Sequence, residues 1–436
     1  MNLNAAGIDI GSREHYVAVP PDRDPEPVRS FKTFTGDLYC LADWLKSCRI
    51  DTVAMESTGV YWIPLYQILE KRGFNVYLVN AQKIKNVPGR KTDVLDCQWI
   101  QRLHTFGLLN SSFRPADEIC VLRSYLRQRD NLISSAGTCI QHMQKTLTEM
   151  NVMLANVISD ISGQTGLAII RAIVAGERDP NKLAKMKDYR IKASVEIIAK
   201  SLRGNWRHEL IFNLSQALEL YDIYQRKIAE CDLKIREHLG TFPNRVDPIE
   251  KPLTPRGSKR PGGNAPLFDL REELYRISGA DLTSINGIDV LTASVVISEI
   301  GLDMTRWRTE KAFSSWLGLC PDNCITGGKV IKRSSRKVVN RATHALRMAA
   351  FTLLRSNTAL GANYRRLRTR LGAPKAITAM AHKLARLVYR MLKYGHNYVD
   401  KGMEYYEKKF REQRVKYLKK QARLFNLQII EKPELA

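Results

Sequence analysis

Apolar and polar positions change rhythm along the 436 residues of the chain. From residue 3 to residue 79, short apolar runs alternate with helical patterns. Residues 4–10 are small and apolar, Gly11-Ser12-Arg13 is a turn, and residues 15–19 continue with β-branched side chains. This predicts two strands around a tight turn. The Pro- and Asp-rich residues 20–27 are a loop, and residues 31–35 suit a third strand. Leu38, Leu41, Trp44 and Leu45 recur at helical spacing, which predicts a helix over 38–46. A short buried strand over 52–56, a helix over 61–71 stopped by Gly73, and a strand over 75–79 complete the pattern. Such alternation predicts an α/β domain with a mixed sheet over residues 1–114.

After Arg114-Pro115 the period changes. Ile119, Leu122, Leu126, Ile133, Ile140, Met143 and Leu147 recur at spacings near three, four and seven, the pattern of one long, coiled-coil-like helix. A second runs from about 208 to 239, so residues 115–240 read as a helical region. Residues 241–269 open with a Pro-, Gly- and base-rich stretch and read as an exposed linker. A helical domain follows over 270–436. No internal repeat is visible. The fold class is therefore α/β plus all-α.

Charge narrows the partners. The formal net charge is +25. Between Asp322 and Asp400 there is no Asp or Glu, and this interval holds 17 Lys or Arg. A field of one sign needs a polyanion or repels itself, which points to a phosphate backbone rather than to a membrane surface. No apolar run reaches the ~18 residues of a membrane helix, and the first ten residues lack the basic-then-apolar order of a signal peptide. The expectation is a cytoplasmic protein. The eight cysteines include no CxxC pair, and Cys320 and Cys324 have no second pair to complete a zinc site, so they read as reduced thiols.

Four acids stand out by context. Asp9 lies within the apolar run GIDIG, and Glu56 ends the run TVAME. A charge in such a strand is costly unless paired or metal-bound. Asp93 and Asp96 open a helix that Thr92 can cap, and about 60° separates them on one face. Leu95, Trp99 and Leu103 read as that helix's apolar stripe, with Asp96 at its edge. Four carboxylates on two strands and a helix can hold two Mg²⁺ ions, which activate the attacking oxygen and stabilise the leaving oxygen of a phosphodiester. Taken alone, Asp93 reads as a helix-terminus charge before it reads as a ligand. The phrase GIDIGS also opens sugar kinases of the actin-like fold, but no second phosphate loop accompanies it here.

The order Asp9, Glu56, Asp93, Asp96, in the phrases GIDIGS, AMESTGVYW and GRKTDVLDCQWI, resembles the DEDD insertion-sequence transposases. The resemblance resumes at LTSINGIDVLTASVVISEIG, AFSSWLGLCPDNCITGGKV and NRATHALRMAA, and residues 150–280 are least distinctive. It implies an RNase H-like domain similar to the RuvC junction resolvase, with Mg²⁺ as cofactor. It further implies excision and insertion of a mobile element in double-stranded DNA, guidance by a structured RNA, a synaptic dimer or tetramer, and a place with the prokaryotic nucleoid.

In the C-terminal half, Leu282–Asp289 followed by Thr292-Ala293 suits a helix-hairpin-helix turn, where Gly287 would let backbone N–H groups meet a phosphate. The same residues suit an ordinary glycine turn between packed helices. Lys329, Lys332, Arg333, Arg336, Lys337, Arg341, Arg365, Arg366 and Arg368 are the candidate phosphate contacts. In the resembling family, the loop matching PDNCITGGK carries a serine just before the glycine, and its hydroxyl attacks the DNA phosphate. Here that position is Thr326, whose β-methyl restricts the hydroxyl. Ser334 and Ser335 are the alternatives. Two rival functions remain: a hydrolytic junction nuclease that uses the carboxylates alone, and an inactive nucleic-acid-binding relative.

Overall fold

The computed structural model describes residues 1–80, 92–255, 264–332, 340–395 and 401–428. The chain forms two compact units, Met1–Arg114 and Pro115–Ala436.

The first unit is built on a five-stranded sheet of β1 (Ala5–Ile10), β2 (Glu14–Ala18), β3 (Val28–Lys32), β4 (Thr52–Glu56) and β5 (Asn75–Val79). The spatial order is β3-β2-β1-β4-β5. β1 pairs antiparallel with β2, and β2 with β3; β1–β4 and β4–β5 are parallel. This mixed sheet fits the RNase H-like expectation. The third strand lies three residues earlier than the sequence pattern suggests. Val28 faces Ala18 and Lys32 faces Glu14, so pairing with β2 sets its register, and the chain turns at once into α1 (Thr35–Ser47).

Because side chains alternate along a strand, each strand serves two cores. Ile8 and Ile10 of β1 and Val53 and Met55 of β4 meet Leu38, Leu41 and Leu45 of α1 and Leu65 and Leu69 of α2 (Trp62–Lys71) on one face. On the other face Ala54 and Val79 pack with Ile100 of α3 (Asp93–Thr105) and with Leu109. Gly7 explains the closeness of α3: a Cβ there would lie 2.1 Å from the Gln101 backbone nitrogen and 2.5 Å from the Cys97 carbonyl oxygen. Glycine in a strand interior marks such an approach.

The second unit opens with two 33-residue helices, α4 (Asp117–Glu149) and α8 (His208–Gly240). They run antiparallel, since His238 meets the Glu118 carbonyl and Arg129 meets Asp232. The Arg129–Asp232 pair is almost wholly buried at 2.5 Å. It is satisfied further by the Asn264 carbonyl and the Leu267 N–H, as a buried ion pair requires. Thus the part of the predicted linker after residue 263 is bonded into the helical pair. The distal end is closed by α5 (Gln164–Val174), α6 (Pro180–Ala184) and α7 (Val195–Ser201), with Ile169, Ile170, Ile173, Leu183 and Ile198 in a core shared with Met143 and Leu214.

Then come α9 (Leu270–Ser278), α10 (Val290–Ile300) and α11 (Glu310–Trp316), followed by the hairpin β6 (Cys324–Thr326) and β7 (Lys329–Lys332). Helices α12 (Arg341–Thr352), α13 (Ala359–Leu371), α14 (Ala373–Tyr394) and α15 (Gly402–Leu424) end the described chain. The aromatic rings of Trp307, Phe313, Trp316 and Tyr389 pack together, and the Tyr389 hydroxyl donates to the Trp307 carbonyl at 2.8 Å. No helix among the described residues is long and apolar enough to cross a membrane.

Candidate functional site

Asp9 and Glu56 stand at the carboxyl ends of neighbouring parallel strands. Ile8 is level with Met55, so Asp9 and Glu56 each follow one residue later. By alternation both share the sheet face of Gly7 and Ala54, the face that α3 covers. Glu56 is buried and accepts a hydrogen bond from the Thr58 hydroxyl at 2.7 Å. Asp9 is half-buried.

The first turn of α3 brings the other two acids to this face. Thr92 caps it, its hydroxyl accepting from the Leu95 N–H at 3.4 Å. Asp96 is half-buried and Asp93 exposed. Cys97, the next residue, feels the charges of both Asp9 and Asp96, and Tyr16, which faces Asp9 across the strands, feels that of Asp93. The apolar stripe differs from the sequence expectation: Cys97, Ile100 and His104 are buried, Trp99 and Leu103 are half-buried, and Leu95 is exposed. Contact with Gly7 sets that rotation.

Burial, and then the two carboxylates, push the Cys97 thiol up to about 12. The four carboxylates on this face are hard oxygen donors of the kind Mg²⁺ prefers. Among the described residues, no three His, Cys, Asp or Glu side chains are gathered closely enough to hold a metal ion. Donor chemistry and placement on one face thus suit a divalent cation, while the closed ligand cluster is not formed. Gly7, Thr58 and Cys97 escaped the sequence reading; a glycine within an apolar strand was the available signal for the first.

Thr326 has a different setting. It pairs with Lys329 across Gly327 and Gly328, whose φ values are 57° and 75°. Two positive φ angles in a two-residue loop suit the twist of a hairpin, and glycine supplies them. A bulge follows between Cys324 and Ile325. Residues 321–331 are all exposed, including Ile325, Val330 and Ile331, and a Cβ on Gly327 or Gly328 would meet nothing within 4 Å. Ser334, Ser335, Arg333, Arg336 and Lys337 lie outside the described residues. Lys332 is the last residue of β7, opposite Cys324.

Several of the remaining basic candidates are used within the fold. Gly287 has φ 91°, and a Cβ there would lie 2.7 Å from the Ala349 carbonyl oxygen. Asp289 caps α10, accepting from the Thr292 N–H at 2.7 Å. Packing accounts for this glycine turn. Arg365 donates to the Leu354 and Ser356 carbonyls, Arg366 stacks on Phe410, and Arg341 pairs with Asp130 at 3.5 Å. Lys329 and Arg368 are exposed.

Comparison with known families separates the same two parts. A model of the DEDD transposases of the IS110 type matches residues 6–152, a segment holding all four acids. A model described as transposase of the IS116/IS110/IS902 family matches residues 279–365, a segment holding Thr326. No curated protein matches the chain. With both transposase segments present in order, and together spanning more than half of its length, the chain belongs to the IS110-type DEDD transposases.

Proposed function

We propose that the chain is a recombinase that cuts and rejoins the DNA strands of a mobile element through a covalent protein–phosphate link. One observation carries the reading: Asp9 and Glu56 end adjacent parallel strands on the face where α3 begins with Asp93 and Asp96. Asp9, Glu56, Asp93 and Asp96 would hold Mg²⁺. A bound divalent cation supplies Lewis-acid polarisation of the scissile phosphate.

The chain's own residues do the rest. The Thr326 hydroxyl attacks phosphorus; a bond forms between its Oγ1 and phosphorus, and the bond to the departing strand oxygen breaks. The threonine proton is lost, and the departing oxygen ends as a strand hydroxyl. Attack by another strand hydroxyl reverses the exchange and restores threonine, so bond energy is conserved without an external reactant. Exposed Lys329 and Arg368 contribute phosphate contacts that position the strand without reading its sequence. The family resemblance further supports a guide RNA and a synaptic assembly of several copies.

The β-methyl of Thr326 supports one alternative, hydrolysis by the carboxylate site alone. Labelled DNA incubated with Mg²⁺ and run on a denaturing gel separates the two. Thr326→Ser is expected to preserve or raise the label migrating with protein, and Thr326→Val to eliminate it. If the adduct survives Thr326→Val but not Ser334→Ala with Ser335→Ala, a different hydroxyl is the nucleophile. Mg²⁺-dependent nicking with no adduct in any variant favours the hydrolytic nuclease.

A further inference from the structure

Helix α15 is built unlike the others. Its 23 residues bury no side chain, yet Tyr405, Tyr406 and Phe410 lie on it in a field of cations. Lys401 and Lys409 lie 5.0 and 5.9 Å from the Tyr405 ring, and Lys383 of α14 lies 6.0 Å from the Tyr406 ring. The Arg366 guanidinium stacks 3.4 Å from the Phe410 ring centre, and its Nη1 is buried with no hydrogen-bond partner among the described residues.

These three lysines and three rings line an open cavity of about 350 Å³, with no acidic side chain in its wall among the described residues. Neither an ion pair nor a hydrogen bond joins the ammonium group of Lys383, Lys401 or Lys409 to a described residue. Burial holds Lys383 below the ordinary lysine range. A second open cavity, of about 460 Å³, is lined by Arg365, Arg366, Arg370 and Thr369, with Glu407 as its one acid. Stacking of Arg366 on Phe410 joins the two. A desolvated cation without a counter-charge is costly, and an anion relieves the cost. Rings beside cations suit a base attached to that anion, because stacking accepts any base while lysines follow the backbone. The volume is at the small end of ligand sites and suits one nucleotide.

We propose that the cavity between α13, α14 and α15 takes one unpaired nucleotide of a nucleic-acid strand, with its base among Tyr405, Tyr406 and Phe410 and its phosphate on Lys383, Lys401 and Lys409. The neighbouring cavity receives the adjoining phosphate on Arg370. The site's three lysines and three aromatic rings lie beyond both segments that match transposase models, which end at residue 365. It rests on the reading of the chain as a nucleic-acid enzyme and adds a grip on single strands to it.

The test is fluorescence anisotropy of the full chain with a labelled single-stranded RNA, the same sequence as single-stranded DNA, and its blunt duplex. Tyr405→Leu is expected to weaken single-strand binding about tenfold, in line with the loss of one stacked base. Lys383→Met is expected to weaken it several-fold, while both variants keep duplex affinity. The stronger of the RNA and DNA arms identifies the sugar. Cross-linking of the unmutated chain to an iodouracil-bearing oligonucleotide, with adducts mapped to the α15 peptide, guards against misfolded variants. Folded variants that bind single strands like the parent, or cross-links confined to other helices, overturn the proposal. An unmutated chain that binds neither strand nor duplex overturns the nucleic-acid reading itself.

Discussion

The two candidate reactive parts are held in opposite ways. Asp9 and Glu56 are placed by a sheet. Their strands pair with each other and with β2 and β5, and α3 is seated against Gly7 with no room for a side chain. Thr326 is placed by a two-glycine turn in an exposed hairpin. A carboxylate that must meet other carboxylates needs its backbone held by many contacts, since like charges repel at short range. A hydroxyl that must reach a phosphate needs access, and the alignment that makes attack fast can be completed by the bound strand.

The sharpest way to break this comparison is chemical. Asp9→Asn removes a proposed ligand while leaving the strand intact. It is expected to abolish Mg²⁺-dependent cleavage, seen as loss of all nicked or adduct product. DNA binding by gel shift should persist, since Asp9 is no phosphate contact. Cleavage at the parental rate would remove Asp9 from the site.

A smaller effect probes the packing. Gly7→Ala forces a Cβ into the α3 backbone and is expected to cost about 3 kcal/mol. Gly327→Ala meets open space and carries only the left-handed backbone penalty, about 1 kcal/mol. Urea denaturation of the two variants measures the contrast; equal losses would mean that the hairpin is as tightly held as the sheet.

A gradual effect, small per pH unit, depends on protonation. Burial drops the His104 imidazole from its ordinary 6.5 to about 4, and it shares a 2.9 Å hydrogen bond with the Thr52 hydroxyl. Between those values the unfolded chain binds a proton that the native chain refuses. Stability therefore falls as pH drops from 6.5 to 4, by about 1.4 kcal/mol per unit for this group. Buried His15 is shifted the same way. Denaturation midpoints across this window should lose part of their slope in His104→Gln and none of it in Thr326→Val. An unchanged slope in His104→Gln would mean that His104 is not held neutral.

Much of this was legible in the chain. Period-two and period-3.6 patterns marked four of the five strands and the two long helices, because burial on one face leaves its spacing in the sequence. Asp9 and Glu56 stood out because charge in an apolar strand is expensive, and Asp93 and Asp96 because they open a helix that Thr92 can cap. The hairpin at Gly327-Gly328 was not legible: it interrupts a half that reads as helical, and the two glycines supply the positive φ of its turn. Other features depend on partners distant in the chain. Pairing with β2 drew β3 back to Val28–Lys32, and contact with Gly7 rotated α3 so that Cys97 and His104 are buried and Leu95 is not. Arg365, Arg366 and Arg341 look alike in sequence to free phosphate-binding cations. Carbonyls, the Phe410 ring and Asp130 engage them only once the helices pack. The sequence by itself thus marked the strands of the first unit to within a few residues, the two long helices, and which side chains carry charge and hydroxyl oxygen. Tertiary structure decided which of those charges the fold consumes and which remain for a ligand, because that depends on neighbours tens to hundreds of residues away.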